Sequence, residues 1–117
     1  MNILPRIEVN NLFGIIYIFV FCQSALHEIN LKKARNASAS KEITTVKPDE
    51  LLALTGYIRG GCSPLGMKKK FPTFIDQTAL NFEKIYISAG VRGQQIVISP
   101  ADLVKATDAQ TVDLVLE

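Results

Sequence analysis

The stretch NLFGIIYIFVFC, residues 11–22, decides how the amino-terminal part of the chain folds. Its apolar run of about eleven residues is too short for a membrane-spanning helix, which needs roughly 20. The same length fits the apolar part of an export signal, and the small residues Ser24 and Ala25 follow it. Glu8, the weakly basic amino end and the many β-branched and aromatic residues instead favour a buried strand over residues 15–21.

The composition is that of a folded protein. The chain has 117 residues, 48% of them hydrophobic and 21% charged, which is enough for one domain and too little for two. The net charge of +2 is too small to indicate nucleic-acid binding by itself. Cys22 and Cys62 do not form a disulfide framework, so we expect two reduced thiols in a cytoplasmic protein.

Strand and helix signals alternate along the rest of the chain. Strands are predicted over residues 41–46 and in PTFID, and KIYISAGVRGQQIVIS predicts a β-hairpin around a glycine-containing turn. Helices are predicted after the caps Asn30, Asp76 and Ser99, and over residues 48–56. The tail TVDLVLE fits either a strand or a closing helix. This order predicts a mixed α/β (α+β) domain.

The glycine-rich segment GYIRGGCSPLGMKKKFPTFID, residues 56–76, is the candidate functional loop. Gly60 and Gly61 can turn bare backbone N–H groups toward a carbonyl oxygen or an anion. Pro64 would hold the loop in one shape, and Ser63 adds a hydroxyl group. The alternative is a surface turn with a Gly-Gly hinge, which composition alone favours.

Few other residues indicate chemistry. Cys62 would need a base to act as a nucleophile, and nothing in the sequence brings the single histidine, His27, near it. No spacing of residues resembles a metal site or a nucleotide-binding loop. Four cations of this segment lie directly before and after residues 60–67, and they predict a solvated face or a contact with a phosphate backbone. They are Arg59, Lys68, Lys69 and Lys70.

The segments TGYIRGGCSPLGMKKKFPTFID and IYISAGVRGQQIVISPADL together resemble the YbaK/EbsC family of Cys-tRNA(Pro) deacylases. These are trans-editing relatives of the insertion domain of bacterial prolyl-tRNA synthetases. The resemblance begins near FVFC, continues through INLKKA and ends at about Asp108. It implies a curled mixed sheet or partial barrel flanked by helices.

The resemblance also implies a function and a site. The function is hydrolysis of mischarged Cys-tRNA(Pro), in which the substrate's own thiol attacks its ester while the protein orients it and stabilises the oxyanion. Gly60 is implied as the catalytic backbone donor. The implied substrate-binding residues are Gly61, Cys62, Ser63, Pro64, Ser88, Gly90 and Gln95. The implied tRNA contacts are Arg59, Lys68, Lys69, Lys70 and Arg92. We expect no cofactor, metal or membrane, and prolyl-tRNA synthetase is an expected partner.

The sequence departs from this family at two hairpin positions and at the amino end. Gln95 replaces an aspartate of some members and Val91 replaces a lysine, whereas Cys62 fits because members carry Ile or Cys there. Members also have about 45 more residues at the amino end, and their total length is still that of one ordinary domain. That additional segment carries an active-site lysine-threonine pair and a tyrosine. MNILPRIEVN does not resemble that segment.

We therefore expect one truncated domain over residues 1–117, with a divergent segment at 1–14. Loss of the lysine charge near the oxyanion, worth several kcal/mol, predicts weak or absent deacylation. The alternatives are a non-catalytic remnant that binds tRNA or prolyl-tRNA synthetase, and an exported protein that loses residues 1–24.

Overall fold

A long antiparallel hairpin forms the amino-terminal part of the fold. The computed structural model describes residues 1–12 and 15–115. Strand β1 (Ile3–Leu12) pairs with β2 (Ile15–Ser24) from the Ile3–Ser24 pair to the Leu12–Ile15 pair. The predicted strand over residues 15–21 is confirmed and extends to Ser24, but the predicted burial is wrong for its first three residues. Ile15, Ile16 and Tyr17 are exposed, and the strand is covered from Ile18 onward. The segment at 1–14, for which no strand was predicted, is a strand over most of its length; residues 13 and 14 lie outside the described part.

Strand β2 lies at the centre of a mixed sheet. Within the described residues the sheet has the order β3-β1-β2-β4-β7, where β3 is Thr44–Thr45, β4 is Thr73–Asp76 and β7 is Gln110–Val112. The β2–β4 and β4–β7 pairs are parallel, and the pairs of β1 are antiparallel. All four residues of β4 are buried, as expected for a strand with both faces covered.

A second, two-stranded sheet meets the start of β1. It consists of β5 (Ile85–Ser88) and β6 (Gln95–Ile98), paired antiparallel as the sequence predicted. Tyr86 N donates to Met1 O at 2.9 Å, and Asn2 and Tyr86 form a parallel bridge. This connection brings the turn of the β5–β6 hairpin close to the first residues of β1. The mixed α+β class is confirmed.

Three helices begin where the sequence predicted. They are α1 (Leu31–Ala37), α2 (Pro48–Thr55) and α3 (Pro100–Thr107). Asn30 Oδ1 accepts from Lys33 N at 3.2 Å, and Ser99 Oγ accepts from Asp102 N at 3.2 Å. Gly56 ends α2 with a φ of 84°.

Two secondary-structure predictions need correction, and the tail adopts the strand form of its two predicted alternatives. The helix after Asp76 is a short 3₁₀ helix, Gln77–Asn81, because β5 begins soon afterwards at Ile85. The strand predicted over residues 41–46 is only two residues long, since only Thr44 and Thr45 pair with β1. The tail forms β7, which starts at Gln110 and pairs with β4; residues 116 and 117 lie outside the described part.

The two faces of β2 cover two separate apolar clusters. Val20 and Cys22 point into the larger one, with Ile75, Ile87 and Leu103. Phe21 points to the other side, where its ring stacks on Phe74 at a centroid distance of 5.4 Å. This alternation is the period of two expected for a central strand. None of the helices in the described residues has the length and apolarity to cross a bilayer.

Candidate active site

A cavity of about 390 Å³ lies where β1, the glycine loop and the β5–β6 turn meet. Residues 2–5 form one wall of it. Four of the predicted site residues line it, namely Gly60, Cys62, Ser88 and Gln95. The loop is therefore not simply a turn over solvent, because a cavity lies against it and brings together residues from distant parts of the chain.

A second cavity of about 430 Å³ lies behind the same loop, toward β1 and α2. Leu4, Pro5, Gly60 and Cys62 line both cavities. Arg59 lines only the second. A short piece of β1 and the turn around Gly60 thus form a common boundary between the two spaces.

Gly60 occupies the third position of a tight β-turn over residues 58–61. Gly61 N donates to Ile58 O at 3.0 Å, which closes the turn. The φ of Gly60 is +85°, whereas Arg59 has an ordinary negative φ. This combination matches a type II turn, whose third residue needs a positive φ that glycine adopts without strain.

Gly61 is required for space rather than for its φ angle. A Cβ atom at this position would lie 3.3 Å from Arg92 N and 3.4 Å from Gly90 O. The glycine loop and the β5–β6 turn therefore touch backbone to backbone. Gly61 and Gly90, which were both predicted to bind substrate, face each other behind the first cavity and are not among the residues that line it.

Two side chains that join the loop to the hairpin turn complete this contact. Arg92 Nε donates to Arg59 O at 2.9 Å. Tyr57 donates from its hydroxyl to Leu65 O, and its ring lies so close to Gly90 that a Cβ there would be 2.8 Å from Tyr57 Cε1. The sequence did not single out Tyr57. The only hint in the sequence was that Tyr57 lies between Gly56 and Gly60. Its contact with Gly90 could not be predicted, because it depends on tertiary packing.

The two thiols are protonated at neutral pH. Burial raises the pKa of Cys22 to about 12, and the nearby Cys62 adds to the shift. Burial also raises the pKa of Cys62, while a hydrogen bond with Thr55 opposes part of that shift. His27 lines a different cavity, with Gln23 and Glu28. Both cysteines are free, and the single histidine of the chain lies at this other cavity, so the structure places no imidazole base at the first cavity with Cys62.

Ser63 and Pro64 are buried beneath the loop rather than in the first cavity. Ser63 Oγ accepts from Leu65 N at 3.2 Å and so shapes the loop. Pro64 lines a separate cavity of about 220 Å³, together with Lys69 and Lys70. Neither of these two predicted substrate-binding residues lines the first cavity.

The five predicted tRNA contacts fall into two groups. Arg59 and Arg92 meet at the edge of the Gly60 turn. The exposed Lys68, Lys69 and Lys70 follow the loop, and the stem of Lys68 covers Gly56, where a Cβ would lie 3.2 Å from Lys68 Cγ. Lys70 also pairs with Asp108 at the end of α3, and both side chains are exposed.

The first cavity has no counterpart of the positively charged lysine that the resemblance implies for the active site of other family members. Among the described residues, no charged side chain lines it. The only cation on β1, Arg6, lines the second cavity and pairs with Glu8, which is 1% exposed. Glu8 also accepts from Thr45 Oγ1 at 3.2 Å. The polar groups available to an oxyanion in the first cavity are thus backbone N–H groups, the Cys62 thiol and the neutral side chains of Asn2, Ser88, Gln94 and Gln95.

Residues 9–106 match the family model of the aminoacyl-tRNA editing domain, so the chain belongs to this family. The chain is also similar to a protein of Enterococcus faecalis named "Putative Cys-tRNA(Pro)/Cys-tRNA(Cys) deacylase EbsC". The two are 44% identical over 87 residues, which cover 74% of this chain and 53% of that protein. This confirms the resemblance to the YbaK/EbsC family, and the chain spans about half the length of that relative.

Solved structures share the fold. One is described as a "putative trans-editing enzyme for prolyl tRNA synthetase"; it has a TM-score of 0.84 and 23% identity, over 99% of this chain and 71% of that chain. A second, described as a hypothetical protein, has a TM-score of 0.84 and 22% identity, over 96% of this chain and 72% of that chain. At these identities the similarity concerns the fold alone.

Proposed function

We propose that this chain is an aminoacyl-tRNA deacylase domain that acts in trans on mischarged Cys-tRNA(Pro). The observation that carries this proposal is the cavity of about 390 Å³ bounded by the Gly60 turn, in a member of the editing-domain family. The name of the E. faecalis relative supports the choice of substrate. Such a reaction belongs to translation, hence to the cytoplasm, with prolyl-tRNA synthetase as the expected docking partner.

The reaction needs no nucleophile from the protein. The thiol sulfur of the cysteinyl group attacks the carbonyl carbon of its own ester and forms a tetrahedral oxyanion. The bond from that carbon to the ribose oxygen then breaks, and the ribose oxygen takes up the proton that the attacking thiol released. The cyclic thiolactone that leaves is opened by water to give cysteine. The raised pKa values of Cys22 and Cys62 support this route, because neither thiol is ionised at neutral pH.

The protein's part is to orient the substrate and to stabilise charge. Holding the thiol against the ester carbonyl converts a rare conformation into a frequent one. The Gly60 N–H donates to the oxyanion as it develops. Ser88 and Gln95 line the same cavity and contact the cysteinyl group. Arg59 and the lysines at 68–70 contact phosphates, which position the tRNA without reading its sequence.

A second candidate function is a non-catalytic domain that binds tRNA or prolyl-tRNA synthetase. The uncharged lining of the first cavity favours it, because the family lysine that would stabilise the oxyanion has no counterpart among the described lining residues. The exposed lysines at 68–70 would still contact phosphates in such a protein.

Hydrolysis of three aminoacyl-tRNAs by the purified chain distinguishes these functions. We expect slow release of cysteine from Cys-tRNA(Pro), whereas Pro-tRNA(Pro) and Ser-tRNA(Pro) stay intact because they lack the attacking thiol. Cys62→Ala should retain activity. Equal hydrolysis of Ser-tRNA(Pro) would contradict the substrate-assisted route. Binding of Cys-tRNA(Pro) without any hydrolysis would support the non-catalytic function instead.

A further inference from the structure

The turn over residues 58–61 has two possible orientations of its central peptide. Type I and type II turns differ mainly by a rotation of about 180° of the peptide between their second and third residues. In this chain that peptide joins Arg59 to Gly60. Because a trans peptide is planar, the Arg59 carbonyl oxygen and the Gly60 N–H point in opposite directions. Whatever holds the Arg59 oxygen therefore also fixes the direction of the Gly60 N–H.

Arg92 is the side chain that holds this oxygen. Its Nε–H donates to Arg59 O at 2.9 Å, across 33 residues of sequence. The same side chain covers Gly60, where a Cβ would lie 3.0 Å from Arg92 Nε. Glycine can adopt either sign of φ, so Gly60 by itself does not choose between the two turn types. The contact with Arg92 favours type II.

The hairpin turn that carries Arg92 is itself well supported. Ala89 N donates to Gln94 O at 3.0 Å, and Gly90 N donates to Ser88 Oγ at 3.2 Å. Gly61 lies against the backbone of the same turn. Arg92 thus reaches the loop from an ordered base, which is what a residue needs if it is to fix the orientation of another group.

We propose that Arg92 is a positioning residue: its Nε–H holds the Arg59 carbonyl so that the Gly60 N–H faces the substrate ester. The role rests on the proposed deacylase function. Without this hydrogen bond the peptide rotates toward type I, and the Arg59 oxygen replaces the N–H next to the oxyanion. A carbonyl oxygen there repels the developing negative charge, so the chemical step slows while tRNA binding changes little.

Two substitutions of Arg92 separate this role from a phosphate contact. Arg92→Gln keeps a donor and removes the charge, because the glutamine amide nitrogen lies the same number of bonds from Cα as Arg92 Nε. Arg92→Lys keeps the charge but places a methylene where Nε lies. We expect Arg92→Gln to keep kcat within about threefold, and Arg92→Lys to lower it by about 10- to 100-fold, approaching the loss of one oxyanion donor.

A phosphate contact predicts the opposite order. In that case Arg92→Lys would behave like the unsubstituted chain, and Arg92→Gln would raise KM and weaken the salt dependence with no change in kcat. That result would overturn the proposal. Lys105→Ala removes an exposed cation of α3 far from the turn in sequence and is the matched control, with kcat and KM expected to stay unchanged.

An NMR measurement tests the turn independently of activity. We expect the Gly60 amide resonance and its coupling to the α protons to change in Arg92→Lys and to stay in place in Arg92→Gln. If the chain hydrolyses no tRNA but this pattern appears, the deacylase function fails while the control of the turn by Arg92 stands. An unchanged Gly60 resonance in both variants, with native dispersion elsewhere in the spectrum, would refute it.

Discussion

Glycine occupies adjacent positions of the 58–61 turn for two different physical reasons. Gly60 needs a φ of +85°, which other L-residues adopt at a cost. Gly61 has no such φ, but a Cβ atom added to it would lie only 3.3–3.4 Å from backbone atoms of the hairpin turn. The sequence pattern Gly-Gly predicted a functional loop, but it could not distinguish these roles, because the second depends on a contact with residues about 30 positions later.

Substituting Gly60 tests the direction of its N–H. We expect Gly60→Ala to destabilise the fold by about 1–2 kcal/mol and to push the turn toward type I. Deacylation should then fall by about 10²- to 10³-fold, the usual loss for one oxyanion donor. Single-turnover hydrolysis and thermal unfolding measure the two effects.

Gly56→Ala is the matched control for backbone strain. Gly56 has a similar φ of +84°, lines neither the first nor the second cavity, and an added Cβ would lie nearest to the flexible side chain of Lys68, 3.2 Å from Cγ. It should lose a similar amount of stability while keeping most of its single-turnover rate. Equal loss of rate in the two variants would mean that strain, and not the orientation of the Gly60 peptide, explains the effect.

At the scale of elements, the sequence predicted what is set locally and missed what is set by pairing. The caps Asn30 and Ser99, the end of α2 at Gly56 and the β5–β6 hairpin follow from short-range chemistry, so they could be read directly. Strand β1 was missed because its polar and apolar residues alternate only from Arg6 to Asn10, and Pro5 breaks the pattern before them. Its strand form comes from pairing with β2 along its whole length.

The dependence on strand pairing and other non-local contacts also limited the prediction of the site. Gly60, Cys62, Ser88 and Gln95 were identified from motifs, and all four line one cavity. The wall formed by Leu4 and Pro5 could not be foreseen, since it depends on the register of β1. The contact between Arg92 and Arg59 is equally non-local.

The buried carboxylate of Glu8 makes a prediction for β1. Glu8 is 1% exposed, and its partners are Arg6 and Thr45. We expect Arg6→Met to destabilise the fold by about 2 kcal/mol, because it leaves a buried charge without its cation. The double variant Arg6→Met/Glu8→Leu should recover most of that loss in urea unfolding. A double variant less stable than Arg6→Met would contradict this account of the pair.

At the scale of the whole molecule, the buried thiols connect stability to pH. The pKa of Cys22 rises from 9.0 to about 12 in the fold, mainly through burial. Above pH 9 the unfolded chain releases this proton while the folded chain keeps it, so stability falls as pH rises. We expect a slope of up to about 1.4 kcal/mol per pH unit between pH 9 and 12 from this group.

Removing the thiol tests this slope. Cys22→Ala should be less stable at pH 7 because it leaves a small cavity, but its stability should decline less steeply above pH 9. Urea unfolding at several pH values measures both. Parallel curves for the two proteins would show that other groups cause the alkaline loss.

The distribution of cations makes a prediction about tRNA binding. Lys69 is exposed beside the 220 Å³ cavity, whereas Lys70 is paired with Asp108. We expect Lys69→Ala to lower the slope of log K against log salt by about one, as for the loss of one phosphate contact. Lys70→Ala should change it less, because Asp108 already neutralises that charge. Filter binding at several salt concentrations measures this, and equal slopes for Lys69→Ala and the unsubstituted chain would exclude Lys69 from the contact.

The common boundary formed by Leu4, Pro5, Gly60 and Cys62 has a practical consequence. A small apolar compound bound in the second cavity would contact the turn over residues 58–61 and change the shape of the first cavity without entering it. Under the proposed function, inhibitors of this kind would not have to compete with a large, highly charged RNA. The second cavity would then be the more accessible target for small molecules.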